Sequence, residues 1–282
     1  MQELLDPALQ SKIDQAISYI QRVNGAVIAL SAGVDSSLVA FFAKKALGQQ
    51  TLAVTGVSES LASLELEIAI KTALAIGIQH MTVETNELRN PSYVSNSGDR
   101  CYHCKQTLYR ELRKIADSHA YEAILDGTQK DDMSDLRPGL RAAAEEGVLS
   151  PLLIAGFSKN DVREAARSLG LTVWDKPAMP CLSSRIPEGQ AVTVEKLAMI
   201  DMAESYVKSI VPVGDLRVRN DLGTARIEVA PSERHLFFEE ELMSRIDQEL
   251  RKIGFSVVVL DLKGRLKLRY PTTELTLPMS QR

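Results

Sequence analysis

Ala26-Val27-Ile28-Ala29-Leu30 is an apolar run without alternation. It passes directly into Ser31-Ala32-Gly33-Val34-Asp35-Ser36-Ser37, and then into the amphipathic segment Leu38-Val39-Ala40-Phe41-Phe42-Ala43-Lys44-Lys45. That order predicts a strand, a tight turn and a helix, and it constrains the fold more than any other stretch. Small residues let the backbone approach an anion closely, and the first amides of the helix then point at it. Ser36 and Ser37 add hydroxyl donors beside those amides. Asp35 can cap the helix or hold a magnesium ion. An ordinary strand-to-helix turn also contains Ser, Gly and Asp, so the full spacing and the following elements carry the weight. The chain has no G-x-x-x-x-G-K-[ST], which argues against a Walker-type γ-phosphate hydrolase.

Strand and helix patterns alternate through the first two-thirds. Strands are expected at Val27–Leu30, Leu52–Val57, His80–Val83 and Ala123–Leu125, and helices at Leu38–Leu47, Leu61–Ile76 and Thr107–Ala116. Such alternation predicts an α/β fold, a parallel sheet with helices on both faces, whose ligands bind at the carboxyl ends of the strands. Ser31–Ser37 and Asp126-Gly127-Thr128 both fall at such ends. A proline-bearing irregular stretch follows from Trp174 to Gly189. After it the pattern changes to helix Val194–Ser209, strands Leu216–Arg219 and Ala225–Val229, helix Glu233–Ile253 and strand Ser256–Leu260. This predicts a smaller C-terminal α+β domain over 191–282, after a larger domain over 1–190.

A length of 282 residues suits two such domains. No apolar run approaches the roughly 20 residues that span a bilayer. The N-terminal residues carry acidic groups where a signal peptide needs basic ones, so a cytoplasmic location is expected. With a net charge of −4 the chain lacks a general basic footprint for nucleic acid.

There are three cysteines, Cys101 and Cys104 in Cys101-Tyr102-His103-Cys104 and Cys181 in Pro180-Cys181-Leu182-Ser183-Ser184-Arg185. A disulfide framework does not fit a cytoplasmic protein of this size. Four other states remain open from the residues. They are a redox pair, a Cys₃His zinc site through His103, three buried inert thiols, and an iron–sulfur cluster on three thiolates. His103 sits awkwardly for zinc, between cysteines that already fix its loop. A cubane cluster takes four ligands, so three leave one iron open to substrate or sulfide.

Ser31–Ser37 resembles the SGGxDS signature of the PP-loop ATP pyrophosphatases, with Ala32 where the second glycine is usual. The methyl group is expected to be tolerated if Ala32 keeps an ordinary φ, and to cost more at positive φ. Asp126-Gly127-Thr128-Gln129, Asp131-Asp132, Asp135 and Arg137-Pro138-Gly139 resemble the GTNxDDxxDYRPG segment of the LarE family. Cys181-Leu182-Ser183-Ser184-Arg185-Ile186-Pro187, Leu216-Arg217-Val218-Arg219 and Ala225-Arg226-Ile227-Glu228 are similar to further LarE motifs in the same order. The resemblance covers nearly the whole chain. It implies a PP-loop (adenine nucleotide alpha hydrolase-like) domain and an ATP-dependent sulfurtransferase of nickel-pincer nucleotide biosynthesis, which makes the cofactor of lactate racemase. Such an enzyme adenylates the carboxylates of pyridinium-3,5-biscarboxylic acid mononucleotide and converts them to thiocarboxylates.

Within that family one form sacrifices a cysteine, and another holds a [4Fe–4S] cluster on three. The C-x-x-C pair resembles the second form, and Cys181 sits one position closer to the Ser-Arg element than a sacrificial cysteine does. The resemblance therefore implies Cys101, Cys104 and Cys181 as iron ligands and, with Asp35, as the catalytic set. It implies Ser31, Ala32, Gly33, Val34, Asp35, Ser36, Ser37 and Gly127 at ATP, with Mg²⁺ across the phosphates. Ser184, Arg185, Arg217, Arg219, Glu204 and Glu228 are implied at the substrate. A homo-oligomer is implied too, with handover of product to other enzymes of the pathway. From the residues alone, Arg217 and Arg219 also suit a solvated strand face, and Glu204 and Glu228 suit ion pairs. Lys263, Arg265, Lys267 and Arg269 read as one half-exposed strand face, and Trp174 and His80 as packing residues. The nearest alternative is a PP-loop tRNA thiolase, disfavoured by the acidic balance.

Overall fold

The computed structural model describes residues 6–134 and 138–265. They form two compact units that divide between Met202 and Ala203. The first unit runs α1 (Pro7–Ile20), β1 (Ala26–Ala29), α2 (Val34–Leu47), β2 (Thr51–Val57), α3 (Ser63–Ile76), β3 (Gln79–Glu84), α4 (Pro91–Val94), α5 (Arg100–Ser118), β4 (Ala123–Leu125), α6 (Pro138–Glu145), α7 (Pro151–Ile154) and α8 (Lys159–Ser168). Helix α9 (Val194–Ile210) contains the division.

The sheet is parallel throughout, in the order β3-β2-β1-β4. Both of its faces are covered, which is why β1 reads as an unbroken apolar run. Ala26 and Ile28 pack with Ile13 and Ile17 of α1, Phe42 of α2 and Ala165 of α8. Val27 and Ala29 turn the other way, onto Tyr109, Leu112 and Ala116 of α5. The chain leaves β1 toward β2 and β3, then returns to place β4 on the opposite side. That reversal opens a crevice at the carboxyl ends of β1 and β4. The parallel α/β architecture read from the alternation is the one observed.

Local chemistry sets the helix ends. The Asp6 side chain accepts from Ala8 N and caps α1, whose first residue is Pro7. Ser158 and Asp161 close a reciprocal capping box on α8. Helix α2 differs, because its N-cap is Gly33 and no side chain caps it.

Helix α5 starts at Arg100, well before the expected Thr107, so Cys101 and Cys104 stand on its first turn rather than in a loop. Arg100–Gln106 has almost no apolar residue to reveal a period, and the packing of Tyr109, Leu112 and Ala116 extends the helix backward through it. Trp174 is 37% exposed rather than packed; the Arg167 guanidinium lies 5.9 Å from its ring centroid. His80 is half-buried on β3 and shares a 2.9 Å hydrogen bond with Thr55 Oγ1; burial lowers its pKa. The irregular stretch contains a short 3₁₀ turn, Leu182–Arg185.

The second unit contains β5 (Arg217–Asp221), β6 (Thr224–Glu228), α10 (Glu240–Ile253) and β7 (Val257–Leu260). Strands β5 and β6 form an antiparallel hairpin, and β7 joins β6 in parallel. Positive φ at Leu222 (49°) and Gly223 (85°) gives the two-residue turn a twist matching its strands. The expected helix from Glu233 is a 3₁₀ segment, Pro231–Phe237, followed by α10.

Candidate active site

The Ser31–Ser37 loop lies at the crevice, and its shape comes from its own hydroxyls. Ser36 Oγ accepts from Ser31 N at 3.2 Å and donates to Gly33 O at 3.1 Å, while Ser37 Oγ donates to Gly33 O at 2.8 Å. Ser36 and Ser37 are both buried, so their hydroxyls shape the turn. The uncapped α2 amides are what remain for an anion. Ala32 has φ 59° and is fully buried, so the methyl group stands in the costly left-handed region. Gly127 is required by a close approach. A Cβ there would stand 2.7 Å from Ser36 N and 2.9 Å from Asp35 C.

Asp35 Oδ1 is buried without a hydrogen-bond partner. The other oxygen is bonded by the Lys159 ammonium from the start of α8. Burial raises the Asp35 pKa, against the pull of Lys159, and the nearby Asp132 raises it further. An orphaned carboxylate oxygen beside an anion-seeking helix end suits a hard divalent cation. Lys176 Nζ reaches the same loop, donating to Ala32 O at 2.9 Å and to Glu65 Oε2 at 2.6 Å. Lys159 and Lys176 were not visible as site residues in the sequence. No spacing links them to the loop, although Ser158-Lys159-Asn160-Asp161 carries a readable capping box. Asp131 Oδ2 accepts from Lys159 N, and Asp132 Oδ2 accepts from Gln129 N at 3.1 Å, so this acidic turn faces α8 and the loop. Asp135 and Arg137 lie outside the described residues.

The cysteines form a second corner of the same unit. Leu182 N donates to Ser60 O at 2.8 Å, which ties the Cys181 turn to the segment after β2. Tyr93 is fully buried and its hydroxyl shares a 2.6 Å hydrogen bond with Ser183 Oγ. Asn96, held at φ 54°, donates to Pro187 O at 2.7 Å and Gln190 O at 3.0 Å. Arg100 donates to Ser183 O at 3.0 Å. Arg185 is fully buried. Its guanidinium donates to Pro180 O, to Cys181 O at 3.1 Å and to Ser184 Oγ at 3.1 Å. Arg185 thus braces the Cys181 turn.

These braces bring Cys181 to α5. Burial pushes the Cys104 thiol up to about 12, with Glu87, Cys181 and Cys101 acting in the same direction. Cys101 is exposed, and Cys104 and Cys181 are half-buried. Three thiols are a fitting donor set for iron, yet among the described residues no three such side chains are gathered into a metal-ligating arrangement. Glu87 is buried beside them. Its Oε1 accepts from Ser58 Oγ at 2.6 Å and Ser60 Oγ at 2.9 Å.

In the second unit, Arg219 Nε donates to Glu228 Oε1 at 2.6 Å, and Arg226 pairs with the same oxygen at 3.1 Å. Glu204 is buried and accepts from Val218 N at 3.0 Å. Glu228 and Glu204 thus hold β5 in place, with Arg217 two residues before Arg219 on the same strand face. Lys263 and Arg265 follow β7 rather than lying on a strand, and Arg265 pairs with Asp215 at 2.6 Å. Lys267 and Arg269 lie outside the described residues. Among the described residues no helix is long and apolar enough to cross a membrane.

The sequence model of the NAD synthase family matches residues 8–107. The chain is 43% identical to an uncharacterized protein of Synechocystis sp. over 256 residues, 91% of this chain and 95% of that one. It is 35% identical to the pyridinium-3,5-bisthiocarboxylic acid mononucleotide synthase of Lactiplantibacillus plantarum over 251 residues, 88% of each chain. A protein of Methanocaldococcus jannaschii is 27% identical over 237 residues, 84% of this chain and 89% of that one.

Proposed function

This chain belongs to the LarE family of PP-loop proteins, and from that premise we propose that it is an ATP-dependent sulfurtransferase. It adenylates the carboxylates of pyridinium-3,5-biscarboxylic acid mononucleotide and converts them to thiocarboxylates. The observation that carries this is the uncapped N-terminus of α2, with the orphaned Asp35 Oδ1 beside it at the switch point of the sheet.

A carboxylate is a poor acyl donor, because its leaving group would be oxide. Transfer of AMP makes that oxygen a good leaving group. The amides of Val34–Ser36 hold the pyrophosphate end of ATP, and Lys159 offsets charge as it develops. Asp35 would hold Mg²⁺, which supplies charge neutralisation across the phosphates when bound. A sulfide or thiolate then displaces AMP, a role suited to sulfur's high nucleophilicity. Cys101, Cys104 and Cys181 would hold a [4Fe–4S] cluster as the sulfur store. Their mutual effect on the Cys104 thiol supports their closeness. Arg217 and Arg219 bind the substrate's phosphate, since a guanidinium fork matches phosphate oxygens. Ser184, beside Cys181, contributes a hydroxyl, and Glu204 and Glu228 keep the arginine strand in register. The chain acts as a homo-oligomer in the cytoplasm and passes its product to other enzymes of the pathway.

Anaerobic ATP–pyrophosphate exchange with the mononucleotide tests this, with bulk tRNA in parallel. Exchange is expected with the mononucleotide alone. Asp35→Ala and Arg217→Ala are each expected to lower it at least about a hundredfold while the protein still melts cooperatively. Exchange with tRNA alone overturns the assignment in favour of an RNA thiolase.

A further inference from the structure

Lys176 is held at both its backbone and its ammonium. Its Nζ donates to Ala32 O at 2.9 Å in the Ser31–Ser37 loop, and to Glu65 Oε2 at 2.6 Å on α3. Both members of this ion pair are largely buried, with side chains 13% and 10% exposed. The backbone is pinned separately. The Arg163 guanidinium, from α8, donates to Trp174 O and to Lys176 O, each at 2.9 Å. Lys176 N donates to Val173 O at 3.1 Å.

Cys181 lies five residues further on, after Pro177-Ala178-Met179-Pro180. The two prolines have fixed φ, and they press Lys176 and Met179 before them toward extended backbone. Five residues reach no further than about 18 Å, so Cys181 is on a short, stiff tether from Lys176. At the other end Leu182 N donates to Ser60 O at 2.8 Å, and Ser60 precedes Glu65 by five residues. The contacts close into a ring. It runs from Glu65 to Lys176, along the tether to Cys181 and Leu182, across to Ser60 and back to Glu65. Because the same ammonium bonds Ala32 O, Lys176 joins that ring to the loop. A buried ion pair adds little stability over two apolar side chains of the same volume. What this pair supplies is position: one ammonium fixed to the loop, to α3 and to the start of the tether.

We propose that Lys176 is a positioning residue, whose ion pair with Glu65 sets the reach between the Ser31–Ser37 loop and Cys181, so that an activated carboxylate meets sulfur before water. This rests on the sulfurtransferase function proposed above. The acyl adenylate has two fates. In one, hydrosulfide adds to the acyl carbon, the carbon–oxygen bond to AMP breaks, and AMP leaves with the electron pair. The proton on sulfur passes to solvent, and a thiocarboxylate remains. In the other, water adds at the same carbon, the same bond breaks, and the carboxylate returns with ATP consumed and no product. Nothing is oxidised in either. Lys176 touches neither nucleophile; it decides which is in place when the adenylate forms.

The test counts AMP released per thiocarboxylate formed, anaerobically, with ATP, the mononucleotide and inorganic sulfide. This ratio belongs to the active molecules, so a variant that merely folds less completely does not change it. The arms are wild type, Glu65→Gln, and Lys176→Met combined with Glu65→Leu. The combined variant removes both charges and strands neither. It is expected to raise the ratio at least about tenfold, while a non-hydrolysable ATP analogue binds within about threefold of wild type and the melt stays cooperative. Glu65→Gln should stay close to wild type, because its amide oxygen still accepts from Lys176. An unchanged ratio in the combined variant overturns the proposal. So does loss of analogue binding or of cooperative unfolding in that variant, which would make the pair a part of the loop or of the fold. A glutamine variant as uncoupled as the combined one overturns it too, since the hydrogen bond would then position nothing. Absence of mononucleotide-dependent AMP release in the wild type overturns the sulfurtransferase function itself, and the Lys176 assignment with it.

Discussion

The Ser31–Ser37 loop and the cysteine corner belong to one unit but are built by different means. The loop is contiguous. Ser31 to Ser37 fold on themselves through Ser36 and Ser37, with Gly127 packed on their backbone and Lys176 bonded to Ala32 O. The corner is assembled from separate segments: the first turn of α5, the turn after Pro180 and the stretch after β2. The side chains of Tyr93, Asn96, Arg100 and Arg185 hold these together. A site made of backbone tolerates substitution of side chains and fails when a Cβ intrudes. A site made of side chains fails when one brace is removed.

The sharpest way to break that comparison is Arg185→Ala. Its guanidinium bonds two carbonyls and a hydroxyl inside the protein. Truncation leaves those acceptors buried and opens a cavity, at a cost of roughly 3–5 kcal/mol in unfolding free energy. The loop is built without this brace, so the remaining folded protein should bind an ATP analogue within about twofold of wild type. Urea unfolding and calorimetric titration measure the two. A parallel collapse of ATP affinity would show that the regions are not separate constructions.

A smaller effect separates the thiols by pH in metal-free protein. Burial raises Cys104 from an ordinary 9.0 to about 12, which leaves about a thousandfold less thiolate near neutral pH. Exposed Cys101 should therefore be alkylated first and Cys104 last, as read by mass spectrometry at pH 8. A thiol raised in the folded state contributes stability that is whole below its unfolded pKa and lost as pH rises through the folded value. The urea midpoint should accordingly fall between pH 9 and 12, and Cys104→Ala should flatten that slope. An unchanged slope in the variant would place the cause elsewhere.

The same contrast explains what the sequence disclosed. The strand–turn–helix order, the parallel sheet and the placement of Ser31–Ser37 and Gly127 were legible, because each depends on near neighbours or on a periodicity. The start of α5 was hidden, since Arg100–Gln106 shows no apolar period, and Tyr109 and Leu112 pack behind it. Lys159 and Lys176 reach the loop from elements far along the chain, and no local spacing announces such an approach. Arg185 was visible as part of a motif, but its burial was not. A guanidinium that clamps a ligand and one that braces its own turn have the same sequence, and only the surrounding packing distinguishes them.

The smallest expected effect tests the backbone half of the comparison. Ala32 sits at φ 59°, where an alanine Cβ costs roughly 1–2 kcal/mol. Glycine would remove that strain. It would also forfeit burial of one methyl group, about 0.8 kcal/mol, and gain roughly 0.4–1 kcal/mol of extra freedom in the unfolded chain. These terms nearly cancel, so Ala32→Gly should shift stability by less than about 1 kcal/mol and leave ATP affinity within about twofold. Val at the same position faces the strain without relief, because a β-branched side chain is excluded from positive φ, and ATP affinity should fall with it. If Ala32→Gly instead weakened ATP binding tenfold, the methyl group would be holding the loop. The loop would then depend on a side-chain contact, as the cysteine corner does.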